Sequence, residues 1–151
     1  MSKHKPEPMT CRPANVREIL DLRARVLRSG KPLEAARFPE DEYELTLHFG
    51  AFIEEKPVSC LTLIANAEPE IPTWQLRGMA TDPEWQRKGV GSTLLNYTEQ
   101  YLCKHYPRFR IWCNVRVHAS AFYTGKGYRV ISEPFDIEHI GPHYKMEKYF
   151  L

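Results

Sequence analysis

Residues 79–92 read Met79-Ala80-Thr81-Asp82-Pro83-Glu84-Trp85-Gln86-Arg87-Lys88-Gly89-Val90-Gly91-Ser92. The pattern predicts a strand, a tight loop and a helix start, because Pro83 cannot donate to a strand ladder and restricts the residue before it. Gly89 and Gly91 lack Cβ atoms, so their N–H groups can come close to a bulky ligand. In the first turn of a helix such groups have no intrahelical partner and face the positive end of the dipole. The stretch therefore offers a phosphate or pyrophosphate site, with Arg87 and Lys88 as adjoining cations.

Two glycines alone do not establish this site. Close packing of the helix against a sheet explains a G-x-G pair equally simply, and from the glycines alone it is the preferred explanation. The spacing of a Walker loop, G-x-x-x-x-G-K-S/T, is missing, and so is the G-x-G-x-x-G of a dinucleotide loop. The surrounding sequence must distinguish a phosphate site from close packing.

Apolar periodicity around this stretch predicts, in order, helix, hairpin, strand, helix, strand, helix, strand and strand. The predicted helical segments are 15–28, a short turn within 41–48, 89–105 and 118–126. The predicted strands are 51–54 and 58–65 around a turn at 55–57, then 74–80, 109–115, 128–132 and 143–149. A hairpin followed by βαβ units indicates an α/β fold with a mixed sheet and helices on both faces.

Length and charge exclude several classes of protein. We expect one domain over residues 1–151, with a polar, flexible start at residues 1–8 that does not look like a signal peptide. The net charge of +2 gives no field for nucleic acid or a membrane, and no stretch approaches the roughly 20 apolar residues of a membrane span. We therefore expect a cytoplasmic protein.

The four cysteines form no CxxC pair and have no histidine at zinc-finger spacing. Cys60, Cys103 and Cys113 lie in apolar segments, where free cysteines are usually buried. We expect reduced thiols and no metal.

Two blocks of the chain resemble one family, in the family's order. Gln86-Arg87-Lys88-Gly89-Val90-Gly91 resembles the Q/R-x-x-G-x-G/A pyrophosphate loop of the GNAT superfamily of N-acetyltransferases. The second block is Cys113-Asn114-Val115-Arg116-Val117-His118-Ala119-Ser120-Ala121-Phe122-Tyr123-Thr124-Gly125-Lys126-Gly127-Tyr128, similar to N-x-x-A-x-x-F-Y-x-x-x-G-F/Y. The resemblance covers about residues 59–148, and the tail over 135–146 resembles small ElaA-type members.

The resemblance implies an acyl-CoA N-acyltransferase fold with a mostly antiparallel sheet of about six to seven strands. It also implies acetyl-CoA as co-substrate, a primary amine as acceptor, and direct attack in a ternary complex. Tyr123 corresponds to the family's general acid, and a plain packing role is its alternative. The residues implied to bind the cofactor are Met79, Ala80, Thr81, Gln86, Arg87, Lys88, Gly89, Val90, Gly91, Ser92, Asn114, Ala119 and Phe122. Relatives often form homodimers, so a dimer is a further expectation by analogy.

The general base stays open among Glu84, Glu138, His118, His139 and His143. A group of arginines near the first helix is interpreted as a solvated face, with recognition of an acidic acceptor as its alternative: Arg12, Arg17, Arg23, Arg25 and Arg28. The alternative to an enzyme is a non-catalytic acyl-CoA-binding module. Such a module would keep the loop at 86–91 and lack a general acid.

Overall fold

The computed structural model describes residues 8–68 and 70–151. The flexible start predicted for residues 1–8 lies, apart from Pro8, outside the described residues. The helices are α1 (Val16–Leu27), α2 (Val90–His105) and α3 (Ser120–Gly125). The strands are β1 (Met9–Ala14), β2 (Leu47–Ile53), β3 (Lys56–Asn66), β4 (Thr73–Thr81), β5 (Phe109–Arg116), β6 (Arg129–Val130), β7 (Phe135–Ile137) and β8 (Gly141–Phe150).

The strands follow the order β1-β2-β3-β4-β5-β8-β6, and β7 pairs with β8. Pairing is antiparallel for β1 with β2 and for β8 with β5, β6 and β7. It is parallel for β4 with β5, as α2 between them requires. The prediction of a mixed, mostly antiparallel sheet is confirmed, and the described residues form eight strands.

The chain divides into two compact units. Unit 1 holds the described residues up to Thr62 together with Gly78–Leu102, and unit 2 holds Leu63–Arg77, without Pro69, together with Cys103–Leu151. None of the helices in the described parts is long and apolar enough to cross a membrane.

In unit 1, α1 begins at an Asn15 capping box, in which Asn15 and Glu18 each bond the other's backbone N–H. Its apolar face packs against Phe52, Cys60 and Ala80. Tyr101 of α2 instead meets Phe49, with ring centroids 5.1 Å apart. Because Phe49 and Phe52 point to opposite faces of β2, the two helices cover opposite faces of the sheet, as predicted.

Several predicted boundaries differ from the structure. The β2–β3 turn is Glu54–Glu55, both with positive φ, and not 55–57, because a two-residue turn of this kind matches the twist of the strands. The helical turn expected within 41–48 is a 3₁₀ turn at Pro39–Glu42, after which β2 has already begun at Leu47. Helix 118–126 divides into a 3₁₀ turn at Val117–Ala119 and α3.

In unit 2, the parallel β4–β5 ladder is short. It runs from Thr73 to Gln75 on β4 and from Arg110 to Trp112 on β5, although both strands continue. β5 then stays paired with β8 along its whole length, from Phe109 to Arg116. The Phe109 and Phe150 rings stack at 4.3 Å across this pair.

Candidate active site

The loop after β4 is held in place by its own polar side chains. The buried Asp82 accepts the N–H of Glu84 at 3.0 Å through Oδ1, and its own N–H donates to Val58 O at 2.8 Å. Gln86 Nε2 donates to Thr81 O at 3.0 Å and closes the base of the loop. Hydrogen bonds within the chain itself therefore define the shape of the loop.

Gly89 presents the start of α2 to solvent. Its φ of +78° favours glycine, and a Cβ built there would meet nothing within 4 Å. Its carbonyl accepts both the N–H and the Oγ1–H of Thr93 at 2.9 Å, so the helix begins here. The N–H groups of Val90, Gly91 and Ser92 have no intrahelical acceptor, and the first turn carries no acidic residue.

Two cations stand beside these amides. Arg87 and Lys88 are exposed, and neither forms an ion pair with any residue that the structure describes. Lys88 Nζ lies 5.1 Å from the centroid of the Trp85 ring. Open amides, the positive end of the dipole and two uncompensated cations together suit a multiply charged anion.

Gly91 has a different role from Gly89. A Cβ at Gly91 would lie 3.3 Å from Thr81 Oγ1 and 3.4 Å from Met79 Cε, so this glycine lets α2 approach the end of β4. Close packing therefore explains Gly91, whereas Gly89 has open surroundings that packing does not explain.

The end of β4 is tied down on one side. Ser59 Oγ donates to Ala80 O at 3.1 Å and lies 2.9 Å from Thr81 Oγ1. The Ala80 side chain belongs to the core of unit 1, whereas Met79 packs towards α2. Any part that Met79 and Ala80 take in chemistry belongs to their backbone groups.

In unit 2, Tyr123 lies on α3 among other aromatic rings. Its ring centroid is 5.1 Å from that of Phe122 and 5.7 Å from that of Tyr128. Burial raises the pKa of Tyr123, and the nearby Cys113 raises it further. The phenol therefore keeps its proton through neutral pH and can serve as a proton donor but not as a base. Ala119 is half-buried, and Phe122 is partly exposed.

Asn114 lies on the other side of the sheet from Tyr123. Cys113, which influences Tyr123, is buried, and Asn114 beside it on β5 points to the opposite, exposed face. Counting back three residues from Ala119, the signature's asparagine position is occupied by Arg116. Asn114 stands two residues before that position, so the carried-over role of Asn114 departs from the motif.

The five candidate bases differ sharply in burial. Glu84, His118, Glu138 and His139 are exposed, and the last two pair with each other at 3.4 Å on the surface. His143 is 5% exposed, and its Nδ1 lies 2.7 Å from Gly141 O.

Arg23 contradicts the prediction of a wholly solvated arginine face. It is 1% exposed, makes two hydrogen bonds to Asp41 and one each to Ala36 O and Thr62 Oγ1, and stacks on Phe38. A carboxylate brought near by the fold allows this burial, and helical periodicity does not reveal it.

The thiols do not look like nucleophiles. Burial raises the pKa of Cys60 and of Cys113 to about 12. All four cysteines are free, but Cys103 is exposed, against the expectation of burial, because it lies on the outer face of α2.

The comparisons agree with this geometry. Residues 33–150 match the family model described as Acetyltransferase (GNAT) domain. The chain therefore belongs to the GNAT acetyltransferases and is an acyltransferase enzyme, which goes against the rival of a non-catalytic module.

Individual relatives are known by sequence and by structure. The chain is 32% identical over 137 residues to the uncharacterized N-acetyltransferase YitI of Bacillus subtilis (strain 168), covering 89% of this chain and 91% of that protein. Escherichia coli ElaA shares the fold with a TM-score of 0.79 at 14% identity, over 93% of this chain and 99% of ElaA. An aminoglycoside 6'-N-acetyltransferase complexed with coenzyme A also shares the fold, with a TM-score of 0.68 at 15% identity. The match covers 88% of this chain and 89% of that one.

Proposed function

We propose that the enzyme transfers the acetyl group of acetyl-CoA to a primary amine by direct attack in a ternary complex. The observation that carries the proposal is the start of α2. Its first-turn amides have no intrahelical acceptor, and Arg87 and Lys88 form no ion pair with a described residue, so this end of the helix suits a pyrophosphate. A solved structure of similar fold holds coenzyme A, which supports the choice of donor.

The cofactor-binding roles are distributed along the two signatures. The 86–92 loop would hold the pyrophosphate, with Gln86 bracing the loop and Gly89 leaving room. Backbone groups of Met79, Ala80 and Thr81 would orient the thioester and stabilise the oxyanion. Ala119 and Phe122 would line the pantetheine, and Asn114, on the face of β5 away from Tyr123, would contact the acceptor.

The chemistry then needs two proton transfers and no covalent enzyme intermediate. The amine nitrogen forms a bond to the acetyl carbon, the C–S bond breaks, and the departing thiolate takes the proton of Tyr123. The amine gives up its own proton to a base or to water. With Cys60 and Cys113 protonated at neutral pH, an acyl-cysteine route is disfavoured.

Calorimetry with acetyl-CoA tests the donor site. Gly89→Glu places an anion in the open space beside the helix start, so binding should be lost while the fold remains. Gly30→Glu is a matched control, because Gly30 has the same φ of +78° and equally open surroundings. Both variants carry the same backbone strain and charge change. Equal affinities in the two variants, or a folded wild type without affinity, would remove the proposal.

Tyr123→Phe tests the acid separately. Binding of acetyl-CoA should persist while transfer slows by about a hundredfold or more. A transfer rate within threefold of wild type would show that Tyr123 has only a packing role.

A further inference from the structure

His143 combines enclosure with one available nitrogen. A carbonyl oxygen only accepts hydrogen bonds, so the 2.7 Å contact with Gly141 O places the proton of the neutral ring on Nδ1. The lone pair is then on Nε2. That atom makes no hydrogen bond to any described residue, yet it is not among the fully enclosed polar atoms that lack a partner. The small exposure of His143 therefore includes the basic nitrogen.

Side chains from β5, β7 and β8 lie near His143. Arg116 lies directly across on β5, and Phe135 of β7 contacts the ring at 6.2 Å between centroids. Lys145 follows two residues later on the same face of β8, and the adjoining 3₁₀ turn carries the exposed His118. No carboxylate of the described chain pairs with His143.

Acid and base fall on opposite faces of the β5–β8 pair. Cys113, beside Tyr123, lies opposite Met146, whereas Arg116 lies opposite His143. Positions 113 and 116 on one strand point to opposite faces. The two side chains therefore do not compete for one atom: one can protonate the leaving sulfur while the other takes the proton of the attacking nitrogen.

We propose that His143 is the general base, accepting the proton of the acceptor amine at Nε2 directly or through one water. This step rests on the proposed function. As the N–C bond forms, the proton passes from nitrogen to Nε2 and the Gly141 carbonyl holds the resulting imidazolium. The C–S bond breaks, the thiolate takes the Tyr123 proton, and both side chains are restored by exchange with solvent.

Histidine NMR on the wild-type protein gives the first test and needs no acceptor. Long-range nitrogen correlations should show His143 as the Nδ1–H tautomer, with Nε2 gaining its proton as the pH falls. A proton resting on Nε2 of the neutral ring would overturn the proposal.

Kinetics give the second test, with spermidine, lysine amide and alanine amide as probe acceptors. His143→Gln should bind acetyl-CoA like wild type, transfer about a hundredfold more slowly, and lose the fall in kcat/KM towards acid pH. His139→Gln, in the turn before β8 and 88% exposed at its side chain, should stay within twofold of wild type. Added imidazole should partly restore His143→Ala, which a structural role would not allow.

Two results distinguish a failure of the His143 proposal from a failure of the proposed function. An active wild type with an equally active His143→Gln removes His143 and leaves the acetyltransferase proposal standing. A wild type without affinity for acetyl-CoA removes the proposed function, and the base with it.

Discussion

The buried ion pair of unit 1 permits a quantitative prediction. Arg23 Nη1 and Nη2 bond Asp41 Oδ2 and Oδ1 at 2.8 and 3.1 Å, with side-chain exposures of 1% and 2%. Asp41→Asn keeps the shape but leaves the guanidinium buried without a counter-charge. Breaking such a pair typically costs about 3–5 kcal/mol. Since asparagine still accepts one bond, we expect about 3 kcal/mol, or a fall in Tm of about 6–12 °C for a chain of this size.

The chain supplies its own control. Asp21 pairs with Arg25 at 3.0 Å, one helical turn away, but its side chain is 79% exposed. Asp21→Asn should cost no more than about 0.5 kcal/mol, because exposed pairs contribute little. Urea unfolding followed by circular dichroism measures both. If Asp41→Asn loses less than 1 kcal/mol more than Asp21→Asn, the reasoning from burial is refuted.

The pH dependence of stability gives a second test of the Arg23–Asp41 pair. Burial alone would raise the pKa of Asp41, but hydrogen bonds from Arg23 and from the Phe38 N–H outweigh it and hold the pKa below its ordinary value. The carboxylate's contribution is thus present above about pH 4, the unfolded value, and is lost as the pH falls through the folded pKa. The stability gap between wild type and Asp41→Asn should therefore close in strong acid and stay constant from pH 6 to 8.

Two further outcomes follow from local structure. Iodoacetamide at pH 8 should alkylate Cys103 fastest and leave Cys60 and Cys113 intact in the native protein, which peptide mass spectrometry can check. Rapid labelling of either buried thiol would contradict the raised pKa of Cys60 and Cys113. Asn15→Ala should cost about 1 kcal/mol in urea unfolding, because it removes one half of the capping box with Glu18, and an unchanged midpoint would show that the cap is dispensable.

Local sequence signals predicted the elements that carry the proposed donor site. Asp82-Pro83 ended β4, and Gly89 marked the start of α2, because turn and helix-start preferences are properties of a few adjacent residues. The strand β1 was missed because it contains Pro13. Proline is tolerated there since β1 is an edge strand, and only the assembled sheet reveals an edge.

Contacts across the fold were beyond the reach of periodicity. Arg23 looks like any other arginine of α1 until Asp41, Thr62 and Ala36 are brought around it. His143 likewise resembles His139 in sequence, and only the strand register and the Gly141 carbonyl distinguish them. Function placed on such residues depends on tertiary neighbours that a single sequence does not state.

The position of β8 has a consequence for how the protein is made. β8 is the common partner of β5, β6 and β7, and the ribosome synthesises it after all three. Until Gly141–Phe150 emerges, these strands have no β8 ladder to join, and their polar edges are open to other chains. A nascent chain stalled before Gly141 is therefore a candidate for aggregation and for quality control, whereas strands β1 to β4 can already have paired.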